Sequence, residues 1–232
     1  INIWEKFFKQ PCGFHIEDIK KSKNIIINKK SPAPQKKYLM GQNSFYDNPD
    51  KIEYFKDIYK KYIVPTENIK QYLDTTESLL FKDKGKILGI LCRGTDYIVR
   101  KPKNHPIQPS TEMVIKDAQN IIKDYNCNYV FLATEDEDIL EDFRRIFKDK
   151  LLYLPQKRYR KTDLLKGEYL AQAKEHDMSR DKTEDAKVYF AAIYLLTKCQ
   201  CFIGGRTGGT KGVILLENSF EYKHIYDVGL YK

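Results

Sequence analysis

The sequence predicts an α/β protein whose C-terminal two thirds form a doubly wound parallel sheet of the Rossmann type. Three observations predict it. Short, continuous apolar runs of strand length recur at 87–92, 129–133, 151–154, 201–205 and 224–228. A continuous run, unlike an alternating one, suits a strand buried on both faces. Amphipathic segments of helical period lie between these runs, and the strand–helix alternation puts crossover helices on both faces of one sheet.

Each element has its own signal. In the first 83 residues, 24–27 reads as a strand and Pro32 and Pro34 mark a loop. Two helix-like segments follow, 50–63 and 66–81, separated by Pro65. Residues 1–83 are therefore expected to be the tail of another domain followed by a helical connection, and 84–232 the Rossmann-like domain. After the 87–92 strand, Ser110 is placed to cap a helix running to about Asp124, with Met113, Ile115, Ala118, Ile121 and Ile122 inward. Asp136 or Asp138 can cap the next helix, with Ile139, Leu140, Phe143 and Phe147 inward. Pro155 stops the 151–154 strand. The polar, basic stretch 156–183 is long enough to be functional, and 164–173 within it can form a helix. A helix is expected from about Glu184, with Val188, Ala191, Ala192 and Leu195 on one stripe, and a further helix-like segment covers 213–217.

Composition narrows the function classes. Among 232 residues, 41 Lys and Arg face 32 Asp and Glu, for a net charge of +9. A basic surface favours anionic partners: nucleotides, acidic glycans, anionic lipid headgroups or nucleic acid. A Lys-, Asn- and Ile-rich genome would give the same balance. The basic pairs are scattered along the chain, which argues against a dedicated nucleic-acid arm. Five cysteines, an odd number without a CxxC pair, point to a reducing, cytoplasmic setting. The four histidines are far apart and show no zinc spacing. No apolar run approaches the roughly 18 residues of a membrane helix. The chain opens on Ile1, not Met, and is expected to be a piece of a longer protein.

Ligands of open parallel sheets bind beyond the carboxyl ends of the strands, and three such ends carry chemistry. Arg93-Gly94-Thr95-Asp96 follows the first strand. Arg93 can fork onto a diphosphate, Gly94 would let the backbone approach a ligand, and Asp96 could orient Arg93 or accept from a hydroxyl. An ordinary loop salt bridge fits the same residues. Thr134-Glu135-Asp136 follows the second, and reads equally as a helix N-cap with an acidic first turn. Gly204-Gly205-Arg206-Thr207-Gly208-Gly209-Thr210 precedes the last helix. A glycine turn at a helix N-terminus offers N–H groups to phosphate. This one lacks the P-loop and GxGxxG patterns, and a flexible turn is the plainer reading.

These motifs resemble the α1,6-fucosyltransferases and their bacterial nodulation-type relatives. In that family an apolar strand ends in Arg-Arg-Thr-Asp, where this sequence has Arg93-Gly94-Thr95-Asp96. A His-Pro-Ile follows at the same spacing, here His105-Pro106-Ile107. The next strand ends in Leu-Ala-Thr-Asp-Asp, here Leu132-Ala133-Thr134-Glu135-Asp136. Gly208-Gly209-Thr210 falls where the family has a Ser-Ser-Gln turn. The resemblance spans about 50–220, and three positions depart from it. Leu91 replaces a histidine, Gly94 replaces the second motif arginine, and Lys101 stands where close relatives have a glutamate proposed as the base.

The resemblance implies a GT-B enzyme that transfers a sugar, with inversion, from GDP-fucose or a similar GDP-sugar to a glycan hydroxyl. It implies that 1–83 is acceptor-side and that 84–232 binds the nucleotide sugar. It implies no metal and no cofactor beyond the donor. Arg93, Asp96 and His105 are the expected catalytic residues, with a packing role as the alternative for His105. The expected donor contacts are Arg93, Gly94, Thr134, Glu135, Asp136, Arg206, Gly208, Gly209 and Thr210, with Asp136 or Asp185 accepting the N–H donors of guanine. The expected partners are the nucleotide sugar, a glycan acceptor and an anionic membrane surface, not nucleic acid. A nucleotide- or glycan-binding module without catalysis is the rival reading, supported by the missing glutamate. A nucleic-acid-binding protein is the third, weakened because no single element carries a basic, aromatic stripe.

Overall fold

The computed structural model describes residues 3–11, 13–23, 45–94, 96–164, 169–217 and 219–232, with backbone alone at 16, 96 and 171. The strand expected at 24–27, the loop at Pro32 and Pro34, and Cys12 and Thr95 lie outside the described residues. The chain divides into two compact units, Ile1–Tyr72 and Leu73–Lys232.

The first unit contains α1 (Ile3–Phe7), α2 (Ile16–Lys21) and α3 (Pro49–Tyr62). Asn48 caps α3 by accepting from the Lys51 N–H at 2.9 Å, and Pro49 occupies the first turn, where a missing N–H costs nothing. Phe8 and Pro65 form an antiparallel bridge, flanked by Lys9 N–H to Val64 O at 2.8 Å and Thr66 N–H to Phe7 O at 3.0 Å. The helix that follows, α4 (Glu67–Phe81), begins here and ends in the second unit. Both helices match the sequence expectation to within a residue.

The second unit is the expected α/β fold. Its elements are β1 (Ile87–Leu91), α5 (Asp96–Arg100), α6 (Thr111–Asp124), β2 (Tyr129–Ala133), α7 (Glu137–Phe147), β3 (Leu151–Leu152), α8 (Leu170–His176), α9 (Lys182–Leu196), β4 (Cys201–Gly205), α10 (Gly208–Leu216) and β5 (Tyr222–Tyr226). The strands form a five-stranded sheet in the order β3-β2-β1-β4-β5, and every pairing is parallel. The order reverses between β1 and β4, which makes that junction the switch point of the sheet.

Local chemistry explains the helix starts. Ser110 accepts from Met113 N–H at 3.2 Å and Asp136 from Ile139 N–H at 3.1 Å, so both expected caps hold. The cap of α9 is Asp181, which accepts from the N–H groups of Thr183 and Glu184, so the helix begins ahead of Glu184. Thr207 caps α10 by accepting from Thr210 N–H at 3.1 Å, which pulls Gly208 and Gly209 into the first helical turn and starts the helix before residue 213.

On one face of the sheet, Leu88, Ile90, Val130, Leu132 and Ile203 pack against Val114, Ala118 and Ile121 of α6 and Ile139, Leu140, Phe143 and Phe147 of α7. Met113 was expected inward but is 44% exposed, while Val114 is buried. Val114, Ala118 and Ile121 set the phase of the helix, and Met113 falls outside that stripe. On α9, Ala191, Ala192 and Leu195 are buried as expected and Val188 is partly buried. The edge strands depart most: β3 keeps only two residues although Leu154 is still buried, and β5 lies two residues earlier than 224–228. An edge strand is placed by its pairing, Cys201 with Tyr222 through Gly205 with Tyr226, more than by its own apolar pattern. Among the described residues no helix is long and apolar enough to cross a membrane.

Candidate functional site

Beyond the carboxyl ends of β1 and β2 lies a cleft of about 220 Å³. Leu91 and Arg93 supply its β1 side, and Ala133, Thr134 and Glu135 its β2 side. Asp185, Tyr189, Ala192 and Ile193 line it from one face of α9, and Leu170 and Lys174 from α8. Gln156, Lys157 and Arg180 complete it. Four cations and two carboxylates share this small space, so its chemistry suits an anion.

Arg93 is one third exposed, its Nε 3.8 Å from Glu135 Oε1 and its guanidinium 4.5 Å from the Tyr97 ring centroid. Stacking on an aromatic ring holds the planar guanidinium in place. Arg180, mostly buried, pairs with Asp185, and Lys157 pairs with Asp177. Burial, then the Arg180 cation, pushes the Lys174 ammonium below the ordinary lysine range.

The β2 end is fixed by residues that follow β3. Gln156 donates to Thr134 O at 2.7 Å, and Arg158 donates through Nε to the same carbonyl at 3.1 Å. Arg158 also reaches Gln156 O and Leu154 O, at 3.3 and 2.9 Å. Tyr159 bridges to Asp136 in parallel fashion, with Tyr159 N–H on Glu135 O at 3.0 Å and Glu137 N–H on Tyr159 O at 3.1 Å. The first part of the 156–183 stretch is thus hydrogen-bonded to the sheet, and its described remainder includes a 3-10 turn, Lys161–Asp163, and α8. Residues 165–168 lie outside the described residues.

The structure brings Arg93, Thr134, Glu135 and Asp185 of the expected site together in the cleft. Asp136 stands behind it, fully buried as the α7 cap. Gly94 answers to that residue: a Cβ there would lie 2.3 Å from Asp136 Oδ2 and 2.7 Å from Ile139 Cδ1. Its missing side chain makes room for the cap, not for a ligand. Gly209 abuts the cleft from α10, since a Cβ would meet Leu91, the Tyr189 hydroxyl and Ile193 within 3.3 Å, while Gly208 opens on empty space. Thr210 is fully buried, and its hydroxyl donates to Gly205 O at 2.5 Å. Arg206 pairs with Asp227 at 3.1 Å and does not line the cleft.

His105 is also outside the cleft. Its backbone O accepts from Tyr231 N–H at 3.0 Å, and its ring sits 5.8 Å from that of Tyr97, so it packs under the C-terminal residues. Lys101 is exposed with φ of 46°. The Asp96 side chain lies outside the described residues. Among the described residues, no group of three or more His, Cys, Asp or Glu is placed to hold a metal ion.

Sequence reasoning marked 156–183 as a functional stretch without singling out Gln156, Lys157, Leu170, Lys174 or Arg180 in it, and it missed Tyr189, Ala192 and Ile193 as lining residues. Asp185, Tyr189 and Ala192 share a face of α9 by helical spacing, a signal open to a sequence reading once Asp185 was singled out.

No family model and no curated protein matches the chain. Among solved structures it is similar to NodZ alpha-1,6-fucosyltransferase soaked with GDP-fucose, at 17% identity and a TM-score of 0.43, over 69% of this chain and 45% of that one. It is similar to fucosyltransferase NodZ from Bradyrhizobium at 15% identity and a TM-score of 0.41, over 67% of this chain and 44% of that one. It is also similar to POFUT1 in complex with GDP-fucose, at 10% identity and a TM-score of 0.47, over 77% of this chain and 50% of that one. The chain spans about half the length, or less, of these solved structures. The chain itself is an α/β protein built on a parallel sheet.

Proposed function

We propose that the chain is the donor-binding part of a glycosyltransferase of the fucosyltransferase kind, using GDP-fucose or a similar GDP-sugar and a glycan hydroxyl as acceptor. One observation carries the reading: a cation-rich cleft lined by Arg93, beyond the carboxyl ends of β1 and β2 in a parallel sheet. The order of sequence motifs supports it. In the reaction an acceptor hydroxyl oxygen bonds to the anomeric carbon as its O–H bond breaks and the proton passes to water, while the bond from that carbon to the diphosphate breaks and the diphosphate leaves with the electron pair. Arg93 meets the charge that grows on the leaving group, which is electrostatic stabilisation of the transition state. With arginine in that role, transfer is proposed to be metal-independent. Asp185 is the guanine acceptor we favour, because Asp136 is committed to capping α7.

Lys101, exposed at the position of the family's glutamate, favours a second reading in which the cleft binds a nucleotide without catalysis. Transfer or hydrolysis of GDP-fucose separates the two.

A thermal-shift panel of GDP, UDP and ADP, with and without EDTA, tests the binding reading. GDP at about 100 times its dissociation constant adds about 2.7 kcal/mol, or roughly 5–10 °C for a chain of this size. EDTA should leave that shift unchanged. Equal shifts with UDP would remove the guanine assignment, and no shift with any nucleotide would remove the donor-binding reading.

A further inference from the structure

The cleft carries more positive charge than its neighbours neutralise. Of its four cations, Lys157 pairs with Asp177, Arg180 with Asp185, and Arg93 lies 3.8 Å from Glu135. Lys174 is the exception among the described residues. It is half-buried on α8, and no carboxylate lies within ion-pair distance; its ammonium is 5.9 Å from the centre of the Tyr159 ring. Burial first, and the Arg180 cation second, hold its ammonium below the ordinary lysine range, with Glu135 and Asp185 acting the other way and Arg93 adding a smaller repulsion. A partly desolvated ammonium beside two guanidinium groups is unfavourable until an anion joins them.

The geometry points to Lys174 as a diphosphate-binding residue that acts with Arg93, one cation from α8 and one from the end of β1. The inference rests on the donor-binding reading and deepens it. It assigns diphosphate recognition to Lys174 and Arg93 instead of the glycine turn at Gly208 and Gly209. Gly208 opens on empty space, and the Thr210 hydroxyl is already bonded to Gly205 O. Within the cleft, Lys174 is the cation that no described carboxylate approaches to ion-pair distance.

Calorimetric titration of the full chain with GDP and with inorganic pyrophosphate tests the assignment. Lys174→Met keeps the aliphatic stem and removes the charge. It should weaken both ligands about tenfold or more, the usual loss for a charged hydrogen bond. Lys174→Arg should restore most of the affinity. The melting temperature of ligand-free Lys174→Met should equal or exceed that of the wild type, because the substitution removes a partly desolvated charge without an ion-pair partner. A lower melting temperature with unchanged affinities would make Lys174 a structural residue and overturn the inference. Tight GDP binding by both wild type and Lys174→Met would overturn it too, while leaving the donor-binding reading in place. A wild type that binds neither GDP nor pyrophosphate would remove both.

Discussion

Gly94→Ala is the sharpest test of how the β1 end is built. The added methyl would lie 2.3 Å from Asp136 Oδ2, 2.8 Å from its Cγ and 2.7 Å from Ile139 Cδ1. None of these is the free end of a long surface chain, because Asp136 is fully buried and bonded to Ile139 N–H. Two responses are open. If Asp136 swings away, α7 loses its cap, at about 1 kcal/mol, and a buried polar group loses its partner, at about 1–3 kcal/mol. If the β1 end moves instead, overpacking costs about 1–3 kcal/mol. We expect a loss of about 2–4 kcal/mol, which corresponds to roughly 5–15 °C in melting temperature. Urea unfolding measures the first quantity and calorimetry the second. Asp136→Ala should add little on the Gly94→Ala background, since one contact underlies both losses. A loss below about 0.5 kcal/mol, the range of a neutral surface change, would refute the packing argument. Unchanged stability with weakened GDP binding would return Gly94 to the role first read from the sequence, that of leaving room for a ligand.

Arg93→Ala should weaken GDP binding by about 1.5–3 kcal/mol and leave ligand-free stability within about 1 kcal/mol, because its pairing with Glu135 is long and partly exposed. Calorimetric titration beside melting curves reads both, and a large stability loss with unchanged affinity would make the arginine structural. Arg158→Ala removes donors from the carbonyls of Leu154, Thr134 and Gln156 and should cost about 2–3 kcal/mol. Lysine should restore less than half of that loss, since one ammonium cannot match the guanidinium fork; an unchanged urea midpoint would count against a stabilising role for these hydrogen bonds. The Cys201 thiol is pushed up to about 12 by burial and by Cys127 beside it. An unfolded thiol titrates near 8.5, so between about pH 8.5 and 12 the unfolded chain sheds a proton that the folded chain keeps, and stability falls as pH rises. Cys201→Ala should flatten that fall between pH 8 and 10.5; an identical slope would remove the thiol from the account.

The parts of the fold that the sequence made plain are those where local chemistry and burial agree. Ser110 and Asp136 are cap residues by type and by position, and Phe143 and Phe147 can face only the sheet. The β1 and β2 runs are apolar because both of their faces are covered. Legibility fails where pairing or crowding decides. Tyr222 joins β5 because it pairs with Cys201, a long-range fact absent from its own neighbourhood. The same holds at the cleft. Arg93, Glu135 and Asp185 could be singled out because each stands at a strand end or a helix start. Lys174 and Arg180 belong to a basic stretch in which residue type alone does not say which cation turns inward. Arg206, in a glycine turn that looks made for phosphate, is instead engaged by Asp227.

The short β3 has a bearing on assembly. A sheet edge with a long row of open backbone groups invites a second chain to add a strand, the usual route to aggregation. Here one edge ends in a strand of two residues, and the next stretch of chain turns to β2 through Gln156, Arg158 and Tyr159. The opposite edge, β5, turns Lys223 and His224 to solvent. Neither edge offers a flat, apolar template. Heated samples should therefore clump through chains that have already opened, with turbidity trailing the loss of far-ultraviolet circular dichroism instead of preceding it.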